Sequence, residues 1–216
     1  MLEKAQQVLE ELPVQEIVSL NALISGYSEH GQGEKALECY ERMKLDDVYL
    51  TAATCVSTLK ACAIQMAEET GLEIHSEIAR RGFFCSDLVS NTLVDMYVKF
   101  GFVDKAQEVF FELPIRNVVI WTALLAGFVQ HGVTDKAHWC FQQMQLEGVP
   151  PNAVTYACSL KACSILKSWE KGREIHTIVQ CMELLEKDLY VGSSLVDMYT
   201  KCKYLLDACM VMVVQC

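Results

Sequence analysis

Several signatures that would place a chain quickly in a chemical class are missing from these 216 residues. Eleven cysteines are present, yet no Cys-x-x-Cys occurs, so the usual spacing of a zinc ribbon is absent. No glycine-rich phosphate loop, nucleophile elbow or His-Glu-x-x-His helix appears. The longest apolar stretch, Val118 to Val129, runs for about 12 residues and is broken by Trp121, Thr122 and Gly127, too short to span a bilayer. Neither a basic n-region with a following apolar core nor an Arg-rich, acid-poor leader is visible. Period-two alternation never lasts long enough to argue a sheet. Cations are the minority, 18 Lys+Arg against 28 Asp+Glu, for a formal charge of −10. These absences argue against an enzyme, a bound metal or cofactor, a small-molecule substrate and a membrane partner.

What is present is a repetition. Asn21-Ala22-Leu23-Ile24-Ser25-Gly26-Tyr27 returns 101 residues on as Thr122-Ala123-Leu124-Leu125-Ala126-Gly127-Phe128. Leu59-Lys60-Ala61-Cys62 returns as Leu160-Lys161-Ala162-Cys163, and Glu73-Ile74-His75 as Glu174-Ile175-His176. Leu93-Val94-Asp95-Met96-Tyr97 returns as Leu195-Val196-Asp197-Met198-Tyr199, at an offset of 102 that implies one inserted residue. A fixed internal period marks a stacked repeat protein.

The copy subdivides into units 17–51, 52–86 and 87–117, of 35, 35 and 31 residues, followed by 118–152, 153–188 and an incomplete unit from Leu189. Residues 1–16 match the second half of the 31-residue unit. Within the first unit Leu20, Leu23, Ile24 and Tyr27 fall at i, i+3, i+4 and i+7, one face of a helix. Ser19 is expected to cap that helix and Gly31 to stop it. A second helix is expected from Glu34 to Lys44, with Leu37, Tyr40 and Met43 on its apolar side. The fold class expected is all-α: a single segment, 1–216, of a right-handed helix-turn-helix solenoid. After Lys201 the pattern fails, because Lys203-Tyr204-Leu205-Leu206 stands where Gly101-Phe102-Val103-Asp104 made a turn. Both ends would expose apolar helix surface, so the chain is expected to be a piece of a longer array or a truncated product.

Repetition also bears on the thiols and imidazoles. Cys62 and Cys163 hold one repeat position and are expected to be small buried residues; so many unpaired thiols suit a reducing compartment. Cys202, Cys209 and Cys216 are spaced by seven, on one side of a helix in the divergent tail. His30 and His131 share one turn, and His75 and His176 recur on second helices. His138 has no counterpart and is expected on the surface. His75-Ser76-Glu77 spells the His-x-Glu of zinc deaminases, but the Pro-Cys-x-x-Cys that should accompany it is absent.

Three sets of words then become specific. They are Asn21-Ala-Leu-Ile-Ser-Gly-Tyr with Gly33-Glu-Lys-Ala-Leu-Glu; Leu59-Lys-Ala-Cys with Gly71-Leu-Glu-Ile-His75; and Leu93-Val-Asp-Met-Tyr-Val-Lys with Ala106, Val109-Phe110 and Leu113-Pro114. In order and in length they resemble the alternating P, L and S motifs of plant-type pentatricopeptide repeat proteins, over residues 1 to about 201. The resemblance implies single-stranded RNA as partner, one base per repeat, each base read by two or three side chains. Carried over, the base-reading pairs are Asn21 with Thr51, Asn91 with Asn117, and Thr122 with Asn152. Val56 with Ser86 and Ala157 with Asp188 have an apolar member that cannot bond a base edge, and Ser193 has lost its partner. Val18, Val119 and Val154 would wedge between neighbouring bases.

Asn offers both donors and an acceptor, and Thr a hydroxyl that does either, so both suit a base edge. Asn21, Asn91, Asn117 and Asn152 equally suit helix caps and turns. The family's tendencies imply a pyrimidine opposite Asn91/Asn117, an adenine opposite Thr122/Asn152 and, more weakly, a pyrimidine opposite Asn21/Thr51. The charge of −10 pulls against phosphate binding. Glu34, Glu38, Glu41, Glu69 and Glu73, however, are expected on or near second helices, while Lys60, Lys99, Lys161 and Lys201 fall late on first helices. The implied function is organellar RNA processing (C-to-U editing, splicing or stabilisation, in mitochondrion or chloroplast), with an editing or processing protein acting in trans as a further partner. The alternatives are a peptide-binding scaffold of the tetratricopeptide kind, which keeps a uniform 34-residue period and a Trp-x-x-Leu-Gly-x-x-Tyr start absent here, or a repeat fragment that binds nothing.

Overall fold

The computed structural model describes residues 17–45 and 50–214. The expected half-unit over 1–16 and Cys216 lie outside those residues. Every regular element among them is helical. Contacts divide the chain into two compact units, Met1–Ile115 and Arg116–Cys216.

In the first unit, α1 (Ile17–Glu29) and α2 (Gly33–Leu45) form a hairpin, followed by α3 (Ala52–Gln65) with α4 (Glu68–Arg81) and α5 (Asp87–Lys99) with α6 (Val103–Glu112). The first helices α1, α3 and α5 pack side by side, and α2 also rests on α3. The second unit repeats the plan: α7 (Val118–Gln130) with α8 (Thr134–Leu146), α9 (Ala153–Leu166) with α10 (Trp169–Cys181), a short α11 (Leu184–Lys187), then α12 (Leu189–Lys201) with α13 (Leu205–Val214). There α9 packs on both α7 and α12. The fold class is an all-α, helix-turn-helix repeat solenoid.

The apolar periodicity does the packing. Leu20, Leu23, Ile24 and Tyr27 of α1 are all buried, as are Ala36, Cys39, Tyr40 and Met43 of α2. Leu37 sits half-buried at the edge of that face. In the second unit Trp121, Leu124 and Phe128 of α7 meet the same fate, with Ala137, Cys140 and Met144 of α8. Each of the large aliphatic and Phe side chains among them contributes roughly 1.5–3 kcal/mol by leaving water.

The six first helices end in one way: an N–H five residues on donates back to a carbonyl of the last turn. The pairs are Gln32 to Tyr27 (2.8 Å), Ala67 to Cys62 (3.0 Å), Phe102 to Tyr97 (3.0 Å), Val133 to Phe128 (2.8 Å), Ser168 to Cys163 (3.0 Å) and Tyr204 to Tyr199 (2.9 Å). This closure needs a left-handed residue. Gly31, Gly101 and Gly132 supply it without a Cβ penalty, while Met66, Lys167 and Lys203 adopt it at φ 56°, 53° and 69°. The tail therefore departs from the reading above. Lys203 takes the conformation of Gly101, and a second helix, α13, follows.

Two further expectations are corrected. Ser19 does not cap α1, which starts two residues earlier and places Ser19 in its first turn, where helical N–H groups have no intrahelical partner to lose. His138 is half-buried on α8 rather than on the open surface, and that burial lowers its pKa.

Candidate nucleic-acid interface

Positions along each first helix have uniform environments. The second residue is exposed in all six: Val18 (73%), Leu88 (58%), Val119 (52%), Val154 (49%) and Tyr190 (60%), with Ala53 exposed as well. One exposed apolar residue is ordinary; here a large apolar side chain is exposed at the same helix position in five of the six first helices. Val18, Val119 and Val154 were singled out from the sequence; Leu88 and Tyr190 were missed, though the register alone points to them.

The fifth residue lies one turn further in. Asn21, Asn91 and Thr122 are half-buried, Ser193 is exposed, and the apolar Val56 and Ala157 are buried. Of the closing residues, Thr51, Asn117, Asn152 and Asp188 are N-caps whose side chains accept from backbone N–H groups, of Thr54, of Val119 and Ile120, of Thr155, and of Tyr190 and Val191. Ser86 occupies the same place before α5 and makes no such bond. Thr51, Asn117 and Asn152, which the sequence reading expects to face bases, are therefore helix caps as well.

The structure brings two of the sequence-defined pairs together, each through a third residue. In the first unit Thr54 Oγ1 donates to Asn21 Oδ1 and lies 2.8 Å from Thr51 Oγ1. In the second, Thr155 Oγ1 lies 2.7 Å from Thr122 Oγ1 and donates to Asn152 Oδ1 at 2.9 Å. Asn91 and Asn117 fall in different compact units. Asn91 Oδ1 is buried without a hydrogen-bond partner. Ser193 Oγ donates to the Tyr190 carbonyl of its own helix at 3.0 Å, so its oxygen is left to accept.

First and second helices both carry charges of both signs; the first helices hold Lys60, Lys99, Lys161 and Lys201 together with Glu29, Asp87, Asp95 and Asp197. Glu34, Glu38 and Glu41 lie on α2, and Glu69 and Glu73 on α4, all second helices. Lys60 and Lys161 project from α3 and α9, while Lys99 and Lys201 are held by Asp95 and Asp197, each at 2.8 Å. Between α9 and α12 a shallow groove gathers Ala157, Lys161, Tyr190, Ser193, Ser194 and Asp197.

The remaining candidates are occupied by packing. His75 Nδ1 hydrogen-bonds the Tyr97 hydroxyl at 2.7 Å, and His176 Nδ1 that of Tyr199 at 2.9 Å, each joining a second helix to the next first helix. Burial lowers both imidazole pKa values. Glu77 is engaged by Arg80 (2.7 Å) and Arg81 (2.8 Å), whose hydrogen bonds hold its pKa down to about 2. The buried thiols of Cys62 and Cys163 are pushed up to about 12 and about 11 by desolvation. No group of three or more His, Cys, Asp or Glu among the described residues could hold a metal ion, and no helix there is long and apolar enough to cross a membrane.

Comparison with known proteins gives a consistent picture. The PPR repeat family model matches residues 15–64 and 116–164, and the PPR repeat model matches 89–118. Pentatricopeptide repeat-containing protein At3g13880 of Arabidopsis thaliana is 35% identical over 206 residues, covering 92% of this chain and 27% of that protein. From the same organism, At3g09040, mitochondrial, is 34% identical (96% of this chain, 20% of that protein), and At1g11290, chloroplastic, is 36% identical (93% and 25%). The chain thus spans about a quarter of these relatives' length. Among solved structures, the pentatricopeptide repeat protein PPR10 from maize matches with a TM-score of 0.69 at 19% identity, covering 99% of this chain and 32% of that one. PPR10 in complex with an 18-nt psaJ RNA element matches at 0.67 and 18%, covering 96% and 31%. These last two likenesses concern the fold.

Proposed function

Because this chain belongs to the PPR repeat family, we propose that it binds single-stranded RNA in a sequence-dependent way, through the N-terminal turns of its first helices and without catalysing a reaction. The repeats run 17–51, 52–86, 87–117, 118–152 and 153–188 in the alternating P, L, S order of the plant-type proteins, each facing one base. The reading pairs are Asn21 with Thr51, Asn91 with Asn117 and Thr122 with Asn152, with Ser193 as an unpaired reader. Val18, Val119 and Val154, joined by Leu88 and Tyr190, flank the bases, since an apolar side chain can pack on the π-face of any base. The observation that carries the reading is the recurrence, in both compact units, of a polar pair joined through a threonine one turn below an exposed apolar residue.

Acidity is offset only in part on the first helices, where Lys60 and Lys161 stand but Asp87, Asp95 and Asp197 stand as well. It limits the electrostatic share of binding. With each neutral hydrogen bond worth about 0.5–1.5 kcal/mol, so few readable repeats make a weak binder. Relatives named mitochondrial and chloroplastic support an organellar setting, and with it RNA editing, splicing or stabilisation alongside a protein that acts in trans. The test is selection by the chain from a pool of short single-stranded RNAs randomised at every position. Enrichment of one short motif supports the reading; recovery of the pool's starting composition rejects it.

A further inference from the structure

We propose that the third residue of a first helix, Thr54 in α3 and Thr155 in α9, is a positioning residue that fixes the hydrogen-bonding face offered by the fifth residue of the preceding first helix. This rests on the RNA reading above and goes one step beyond it, to residues that the reading does not include.

Thr54 Oγ1 receives the Thr51 N–H at 3.2 Å, lies 2.8 Å from the Thr51 hydroxyl and sends its own proton to Asn21 Oδ1. A hydroxyl has one proton and two lone pairs, so Thr51 supplies the proton between the two threonines. Asn21 then has its carboxamide oxygen engaged and its NH2 group left over. It faces a base as a donor, which suits the carbonyl of a pyrimidine. Thr155 receives the Asn152 N–H at 3.2 Å and donates to Asn152 Oδ1 at 2.9 Å, so the Thr122 proton points to Thr155 across 2.7 Å. What remains is an acceptor on Thr122 and a donor on Asn152. Adenine offers the complement, an amino donor and a ring-nitrogen acceptor.

The other first helices vary in step. Val56 and Ala157 have no polar group to orient, and the third residues of the helices that follow them are Val89 and Val191, isosteres of threonine without the hydroxyl. Asn91 is followed by α7, whose third residue is Ile120, and Asn91 Oδ1 is the carboxamide oxygen left buried and unpartnered. Threonine stands where the fifth residue is polar and engaged, and is missing where the fifth residue is apolar or polar but unengaged.

The test compares the wild-type chain with Thr54→Val, Thr54→Ser and Thr155→Val in two measurements. In selection from the randomised RNA pool, Thr54→Val should lose about three- to tenfold of the base preference at the position facing Asn21. It should leave the position facing Thr122 unchanged; Thr155→Val should do the reverse, and Thr54→Ser should restore the wild-type preference. In NMR of the free protein, the Asn21 side-chain amide should become more mobile in Thr54→Val and recover in Thr54→Ser. Unchanged Asn21 mobility overturns the positioning role whatever RNA does. Increased mobility with an unchanged base preference overturns its part in specificity. A wild-type chain that selects no base anywhere overturns the RNA reading and the specificity claim with it, while the NMR result still decides whether Thr54 orients Asn21.

Discussion

Thr122 Oγ1 and Thr155 Oγ1 lie 2.7 Å apart, although 33 residues separate them in the chain. That bond ties the fifth residue of one first helix to the third residue of the next, a member of its capping box, and makes Thr122 part of a half-buried network. Thr122→Ala removes the hydroxyl while leaving the Asn152–Thr155 capping box in place. Affinity for the selected RNA should fall about two- to tenfold, the worth of one neutral hydrogen bond, with little change for a scrambled RNA. Fluorescence anisotropy on both RNAs checks the selectivity. Asn91→Ala should behave alike at its own position.

The paired histidines make stability depend on pH. Burial lowers the pKa of His75, His138 and His176 below the ordinary 6.5, so the unfolded chain binds more protons than the folded one just below that value. The stabilisation is complete above pH 6.5 and is lost as pH falls through the folded values. Urea midpoints at pH 7.5 and 5.5 should show the acidic sample less stable. His176→Gln should reduce that difference without abolishing it, since His75 and His138 still titrate. Glu77, held near 2, stabilises equally at both pH values, and its contribution is lost only as pH falls from about 4.5 towards 2.

Close approach explains two glycines. A Cβ on Gly71 would come within 2.8 Å of Met96 Sδ and 3.0 Å of Phe100 Cε2; on Gly172 it would come within 2.5 Å of Met198 Sδ. The Gly-x-Glu-Ile-His and Asp-Met-Tyr words are thus two sides of one contact. Gly71→Val should destabilise by about 1–3 kcal/mol, the usual cost of overpacking, read as a lower urea midpoint. Gly71→Ala should cost less, because the helix gains propensity and the methionine can yield.

The turn before α13 stores strain that can be relieved. Lys203 sits at φ 69°, where Gly101 serves in the first unit. Lys203→Gly should stabilise by about 1 kcal/mol, since a left-handed residue with a Cβ costs roughly that much. Differential scanning fluorimetry should show a rise in melting temperature of about 2–4 °C for a chain of this size.

Helices were legible because burial follows a 3.6-residue period, and Leu20, Leu23, Ile24 and Tyr27 announce α1 without help from tertiary structure. Gly31 and Gly101 announced turns for the same local reason. Lys203 did not, because a lysine enters the left-handed region only when the packing of α12 and α13 makes it worthwhile; the glycine signal is lost there although the hairpin continues. Ser19 misled through propensity, its helix starting earlier than its polar side chain suggests. For the candidate site, register nominates Val18, Val119 and Val154 at the second place and Asn21, Asn91, Thr122 and Ser193 at the fifth, and applied throughout it reaches Leu88 and Tyr190 too. It was not enough to find Thr54 or Thr155, because a bond spanning 33 residues has no local signal beyond Thr-x-x-Thr and Asn-x-x-Thr capping boxes.

The central claim is that equivalent polar side chains on successive first helices read unpaired bases. Its most direct test is equilibrium binding of the whole chain to two labelled RNAs of equal composition. One carries, in repeat order, pyrimidine, any base, pyrimidine, adenine and any base, synthesised in both polarities; the other is the same bases scrambled. The account predicts tighter binding of one ordered RNA by roughly ten- to a thousandfold, as three or so differential hydrogen bonds would give. Equal affinity for ordered and scrambled RNA would contradict it.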